Sequence, residues 1–222
     1  MANQTEEGTY PETFEGTARP SFGASMAGRI AGIAAVAISI IGLAHVFPEI
    51  LVSIATLAVG VALLFEGGAM AARFADLIHG MEKPADGVRW GGLTAEFLAG
   101  ATGIALGILA LLNLAPMVLV PIAAVVYGCA MILDSGVNNR LGALEARKTG
   151  VHGLSETVAR ESATAAANIQ VLVGLAAVTL GILALVGIVP MVLSLVAMLG
   201  IGGTNLLSGS MIGGKMLSVF RG

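Results

Sequence analysis

Gly107-Ile-Leu-Ala-Leu-Leu-Asn-Leu-Ala-Pro116-Met-Val-Leu119 returns 74 residues later as Gly181-Ile-Leu-Ala-Leu-Val-Gly-Ile-Val-Pro190-Met-Val-Leu193. Nine of the thirteen positions are identical. Each copy is an apolar run, a four-residue break and a proline that opens a second apolar run. A looser copy precedes them at an offset of 68, where Gly32 matches Gly100 and Gly174, and Pro48 matches Pro116 and Pro190. A fixed-period repeat says more about architecture than any single residue does. Proline suits the first turn of a helix, because its missing N–H has no partner there in any case.

Working outward, six stretches have the length and character of a membrane-crossing helix, about 20 mostly apolar residues. They lie at about 25–46, 48–65, 93–114, 116–133, 165–189 and 190–207. Barrel strands are shorter and alternate in polarity. The expected fold class is therefore an all-α membrane protein, six transmembrane helices as three parallel helical-hairpin repeats. The hairpins fall at about 25–80, 93–150 and 155–217, within one membrane domain at 25–217. The second and fourth helices are expected to run past the lipid and stop near Gly80 and Gly150.

Composition agrees. Of the 222 residues, 56% are hydrophobic and 11% charged, against ~25% charged in an ordinary globular domain. The mean hydropathy is +0.92. A soluble core cannot hide that much apolar surface in 22.3 kDa. The net charge of −3 leaves no basic surface for nucleic acid. Cys129 is the single cysteine and sits in an apolar run, so it reads as a small buried packing residue. Residues 1–24 carry Glu6, Glu7, Glu12 and Glu15 against Arg19 alone, and read as a flexible acidic tail rather than a signal peptide.

All eleven Lys and Arg residues lie on the side away from Pro48, Pro116 and Pro190. The positive-inside rule then places both termini and the long loops at 75–92 and 141–164 in the cytoplasm. The three proline turns face outward. Parallel hairpins put any pseudo-symmetry axis along the membrane normal, unlike the inverted repeats common in secondary transporters.

Three glycine-rich hairpins, each with a small-residue first helix, a proline turn and a second helix ending in a glycine-containing polar stretch, resemble the HdeD-type acid-resistance membrane proteins. The resemblance covers about residues 26–217 and rests on the Gly-Ile-Leu-Ala-Leu motif before the proline turn. It implies a multi-pass prokaryotic inner-membrane protein associated with acid stress, with no catalytic residue to carry over. The acidic tail and long loops depart from a minimal version and suit docking into a larger assembly.

Few residues invite chemistry. Glu66 and Asp134 hold equivalent repeat positions, with Ser208 in the third. An acid in a span is a functional hypothesis by default. Glu66 lies eighteen residues after Pro48, ~27 Å along a helix, near the cytoplasmic interface. Three readings stay open for the pair: interfacial carboxylates partnered by Arg73 and Arg140, a proton- or ion-binding pair, or a contact to lipid headgroups or a partner. Asn138, Asn139 and Asn205 are candidates for interhelical hydrogen bonds. Gly28 and Gly32, Gly103 and Gly107, and Gly209 and Gly213 stand four apart, as close-packing helix faces do. Gly200, Gly202 and Gly203 point to an irregular sixth helix. His45 and Glu49 are the titratable groups at an outer turn and read as solvated. The histidine spacing fits neither metal nor haem. No nucleophile set, phosphate loop or dinucleotide fingerprint is present.

The expectation is thus a non-enzymatic membrane component without cofactor. Its partners would be membrane lipids and either further copies of itself or the other subunits of a complex. The alternative is a small proton or solute transporter or channel using Glu66 and Asp134. An intramembrane enzyme comes last.

Overall fold

The computed structural model describes the backbone of residues 20–45, 47–78, 95–149 and 154–219. The side chains described are those of residues 28, 30–45, 47–68, 95–136, 164, 165 and 167–206. Six helices make up the described residues: α1 (Pro20–Leu43), α2 (Pro48–Ile78), α3 (Ala95–Leu111), α4 (Pro116–Thr149), α5 (Leu154–Leu185) and α6 (Pro190–Val219). The chain is all-helical there. Three helices contain segments long and apolar enough to cross a membrane: Pro48–Gly68, Pro116–Gly136 and Ala167–Leu185. Ile30–Leu43, Ala95–Leu111 and Pro190–Leu206 are shorter apolar helices.

Pro48, Pro116 and Pro190 are the first residues of α2, α4 and α6. α1 starts at Pro20, so the tail expected over 1–24 gives way to helix five residues early. That proline, too, sits where no N–H is needed. α6 is one continuous helix despite Gly200, Gly202 and Gly203. The neighbouring helices hold it in place where its intrinsic propensity is low.

The three turns share one conformation. Left-handed residues stand at His45, Asn113 and Gly187, with φ of 63°, 61° and 95°, and again at Phe47, Ala115 and Val189. Asn113 N–H donates to the Ala110 carbonyl and Leu114 N–H to the Leu109 carbonyl; Gly187 and Ile188 repeat this on Ala184 and Leu183. This is the Schellman stop, in which glycine at the left-handed residue avoids the Cβ clash. Asn113→Gly and His45→Gly are therefore expected to raise stability by about 0.5–1 kcal/mol each. The check is the melting temperature in detergent, which should rise by roughly 1–4 °C. A fall at either site would mean the turn is not left-handed.

The helices form a closed ring. Each packs on its neighbours in sequence, α1 packs on α6, and α2, α4 and α6 also touch one another inside. Half of the Pro48–Gly68 window is buried, against 22% of Ala167–Leu185, so α2 is an inner helix and α5 an outer one. Buried layers run up the centre, as in Ala55, Ala123 and Ala197, then Val59, Tyr127 and Ile201, then Leu63, Met131 and Asn205.

Outer helices meet inner ones glycine to glycine. A Cβ on Gly100 would lie 2.7 Å from the Gly60 carbonyl oxygen, and one on Gly128 would lie 2.6 Å from that of Gly174. The third crossing is wider: a Cβ on Gly202 would lie 3.3 Å from the Gly32 carbonyl oxygen. Lipid gives helices no hydrophobic reason to associate, so close backbone approach is what holds them. At Gly103 the space of the missing side chain is filled by the Tyr127 ring. The Tyr127 hydroxyl donates to the Thr56 carbonyl at 2.8 Å, joining α4 to α2 past α3.

Candidate functional site

Glu66 on α2, Glu96 on α3, Asp134 on α4 and Gln170 on α5 converge at the end of the bundle away from the proline turns. Glu96 and Asp134 are buried, at 3% and 2% exposure. Glu66 and Gln170 are half-buried. Gln170 Nε2 donates to Asp134 Oδ2 at 3.1 Å. Glu66, Glu96 and Asp134 lie within electrostatic reach of one another.

Local structure explains the convergence. Gly67 has no side chain, so the start of α3 lies against α2: a Cβ on Gly67 would stand 2.9 Å from the Phe97 nitrogen and 3.4 Å from the Glu96 Cβ. Glu96 is in the first turn of α3, where the helix dipole favours a negative group. A carboxylate accepts hydrogen bonds but cannot donate one. Buried carboxylates so gathered therefore cannot satisfy one another as anions. Among the described residues, no three His, Cys, Asp or Glu side chains are placed to hold a metal ion.

Polar groups of a second kind lie on α1 and α6. Ser39 Oγ, Ser194 Oγ and Asn205 Nδ2 are buried without a hydrogen-bond partner. Leaving such a group dry costs about 1–3 kcal/mol. Ser194 faces a cavity of ≈ 10 Å³ between Val52, Val120, Pro116 and Pro190, room for about one water molecule.

Other sequence-predicted residues separate from the cluster. Gly28 lies beside it, 3.7 Å from a Cβ position to the Glu66 Cγ, and Gly32 faces Asn205. Gly103 and Gly107 pack against Tyr127 and Leu57. Asn205 was expected to bond between helices, but its Nδ2 has no partner. Cys129 is exposed, not buried; hydropathy does not distinguish a helix face packed on protein from one turned to lipid. His45 and Glu49 are exposed at their turn. Asn138 and Asn139 lie in α4, and Gly209 and Gly213 in α6, with side-chain surroundings outside the described residues. The same holds for Arg73 and Arg140.

Sequence reasoning missed Glu96 and Gln170. The signal was present: Gln170 follows Glu96 by 74 residues, as Gly174 follows Gly100. It also missed Gly60 and Gly128, the inner partners of Gly100 and Gly174. No family model matches this chain, and neither the curated proteins nor the solved structures contain a significant match.

Proposed function

We propose that the chain is a non-enzymatic, six-span membrane protein of HdeD type, built from three parallel hairpins about an axis along the membrane normal. It serves as a structural or stress-related component that assembles with itself or with partner proteins. The observation that carries this reading is the triple occurrence of one turn and one glycine crossing at offsets of 68 and 74. The distribution of eleven cations supports an orientation with both termini cytoplasmic, and the resemblance to HdeD-type proteins supports a prokaryotic inner-membrane location.

Two measurements test it. In the first, single cysteines at Asn113 and Gly187, with Cys129 replaced, react with a membrane-impermeant thiol reagent added outside intact cells. Cysteines in the loop at 79–94 do not. Labelling of the loop from outside would overturn the topology. In the second, gentle extraction from the native membrane yields a discrete assembly whose components are then identified. A lone monomer would overturn the structural-component reading.

A second reading, a small proton or solute transporter using Glu66 and Asp134, is favoured by one observation. Carboxyl groups from three helices gather at one end of the bundle. In liposomes, Glu66→Gln and Asp134→Asn are expected to cut proton flux several-fold. Flux equal in wild type, both variants and empty vesicles would remove transport.

A further inference from the structure

Two departures from the sequence repeat face one another across one cavity. At the offsets of 68 and 74, Ser194 on α6 matches Val52 on α2 and Val120 on α4. All three are buried, at 1–2% exposure. A hydroxyl thus stands in α6 where the other two inner helices carry valine. Its Oγ has no hydrogen-bond partner among the described residues. At the same offsets, Pro121 on α4 matches Ser53 on α2 and Leu195 on α6. Of the three inner helices, α4 alone carries proline there.

Pro121 lies inside α4, five residues after its first. Proline has no N–H, so it cannot serve the carbonyl four residues back, here that of Met117. Met117, Val120 and Pro121 all line the ≈ 10 Å³ cavity that Ser194 lines from α6. The released carbonyl therefore lies on the α4 wall of that cavity. One departure adds a donor without a partner, and the other frees an acceptor. The remaining lining answers neither. Val52, Pro116, Pro190 and Met191 present apolar side chains. In the next layer inward, Ala55, Ala123 and Ala197 are buried and apolar. The neighbouring hydroxyls are engaged: Ser53 Oγ donates to the Glu49 carbonyl at 3.1 Å, and Thr56 Oγ1 to the Val52 carbonyl at 2.8 Å.

We propose that the cavity is a binding site for one water molecule, which bridges the Ser194 hydroxyl of α6 to the Met117 carbonyl of α4. The serine donates to the water oxygen, and the water donates to the carbonyl. Buried waters settle on polar groups that lack other partners, and the volume admits about one. The bridge does for α6 what the Tyr127 hydroxyl does for α2 through its bond to the Thr56 carbonyl. It ties an inner helix to α4 where lipid supplies no hydrophobic force to do so. α4 is then the post to which both other inner helices are bonded, one directly and one through water.

The test is a structure of the full chain in lipid at a resolution that shows ordered water. One peak is expected within hydrogen-bond distance of both Ser194 Oγ and the Met117 carbonyl oxygen. An empty cavity, a peak that reaches only one of the two, or any occupant other than water overturns the bridge. Melting temperatures give an independent reading. With the water in place, Ser194→Ala removes one of its partners and strands the carbonyl, so the melting temperature should fall by about 2–4 °C. In a dry cavity the same change removes only an unpartnered hydroxyl, and the temperature would rise. Pro121→Leu gives α4 the residue type of Leu195 and returns an N–H to the Met117 carbonyl. In that background Ser194→Ala should cause no fall. A rise in the wild-type background, or an equal fall in both, overturns the bridge. If Pro121→Leu does not fold, the wild-type density and the sign of the Ser194→Ala shift decide alone.

Discussion

Leucine at Gly100, Gly128 or Gly174 is expected to abolish recoverable folded protein, whereas leucine at Gly68 or Gly136 should leave it near wild type. At the first three sites a Cβ alone would come within 2.6–2.8 Å of a backbone carbonyl on the facing helix. Backbone cannot swing aside as a flexible side chain can, so the helices must part along the whole crossing. Overpacking by a methylene or two typically costs about 1–3 kcal/mol, and leucine adds four carbons at a backbone contact. Gly68 and Gly136 have nothing within 4 Å of a Cβ. The measurement is the monodisperse fraction after detergent extraction, with the melting temperature of whatever survives. Wild-type behaviour from Gly100→Leu would mean that α2 and α3 do not meet glycine to glycine.

Tyr127→Ala should bring the second-largest loss. The side chain is fully buried, and removing a large buried aromatic costs about 3–5 kcal/mol. Its ring occupies the space left by Gly103, which neighbouring residues cannot fill without moving a helix. Tyr127→Phe separates volume from hydrogen bonding. It keeps the ring, loses the donor to the Thr56 carbonyl, and should cost only about 0.5–1.5 kcal/mol. Tyr127→Val supplies the residue type of the matching Val59, yet it should remain damaging, because Gly103 is shaped for a ring. Adding Gly103→Leu to Tyr127→Val should recover part of the loss. If Tyr127→Phe proves as damaging as Tyr127→Ala, the hydroxyl rather than the ring joins α2 to α4.

The elements legible in the sequence were those set by chain-local chemistry. Proline openings, apolar runs and glycine stops depend on residues close together, and α2, α4 and α6 begin at the prolines that mark them. Gly32, Gly100 and Gly174 were matched by offset alone. Their partners were not, because the face a glycine presents depends on how hairpins pack, which a repeat inside one chain does not specify. The acidic site shows the same division. Glu66 and Asp134 stood out as acids at equivalent repeat positions, at the ends of apolar runs. Glu96 did not, because a first-turn carboxylate looks like an ordinary helix start, and its burial comes from Gly67 drawing α3 against α2. Cys129 marks the limit of hydropathy, which reads lipid and protein interior alike.

The closure of the ring has a consequence for how the molecule is made. α1 leaves the ribosome before its ring-closing partner, α6, with four helices of the ring made in between. Until α6 is made, the flank of α1 carrying Gly32 lacks its partner in the ring. The α2–α3 and α4–α5 crossings, by contrast, assemble between helices synthesised one after the other. The widest glycine crossing is therefore also the contact with the longest loop to close. A nascent chain stalled before α6 would leave that flank open.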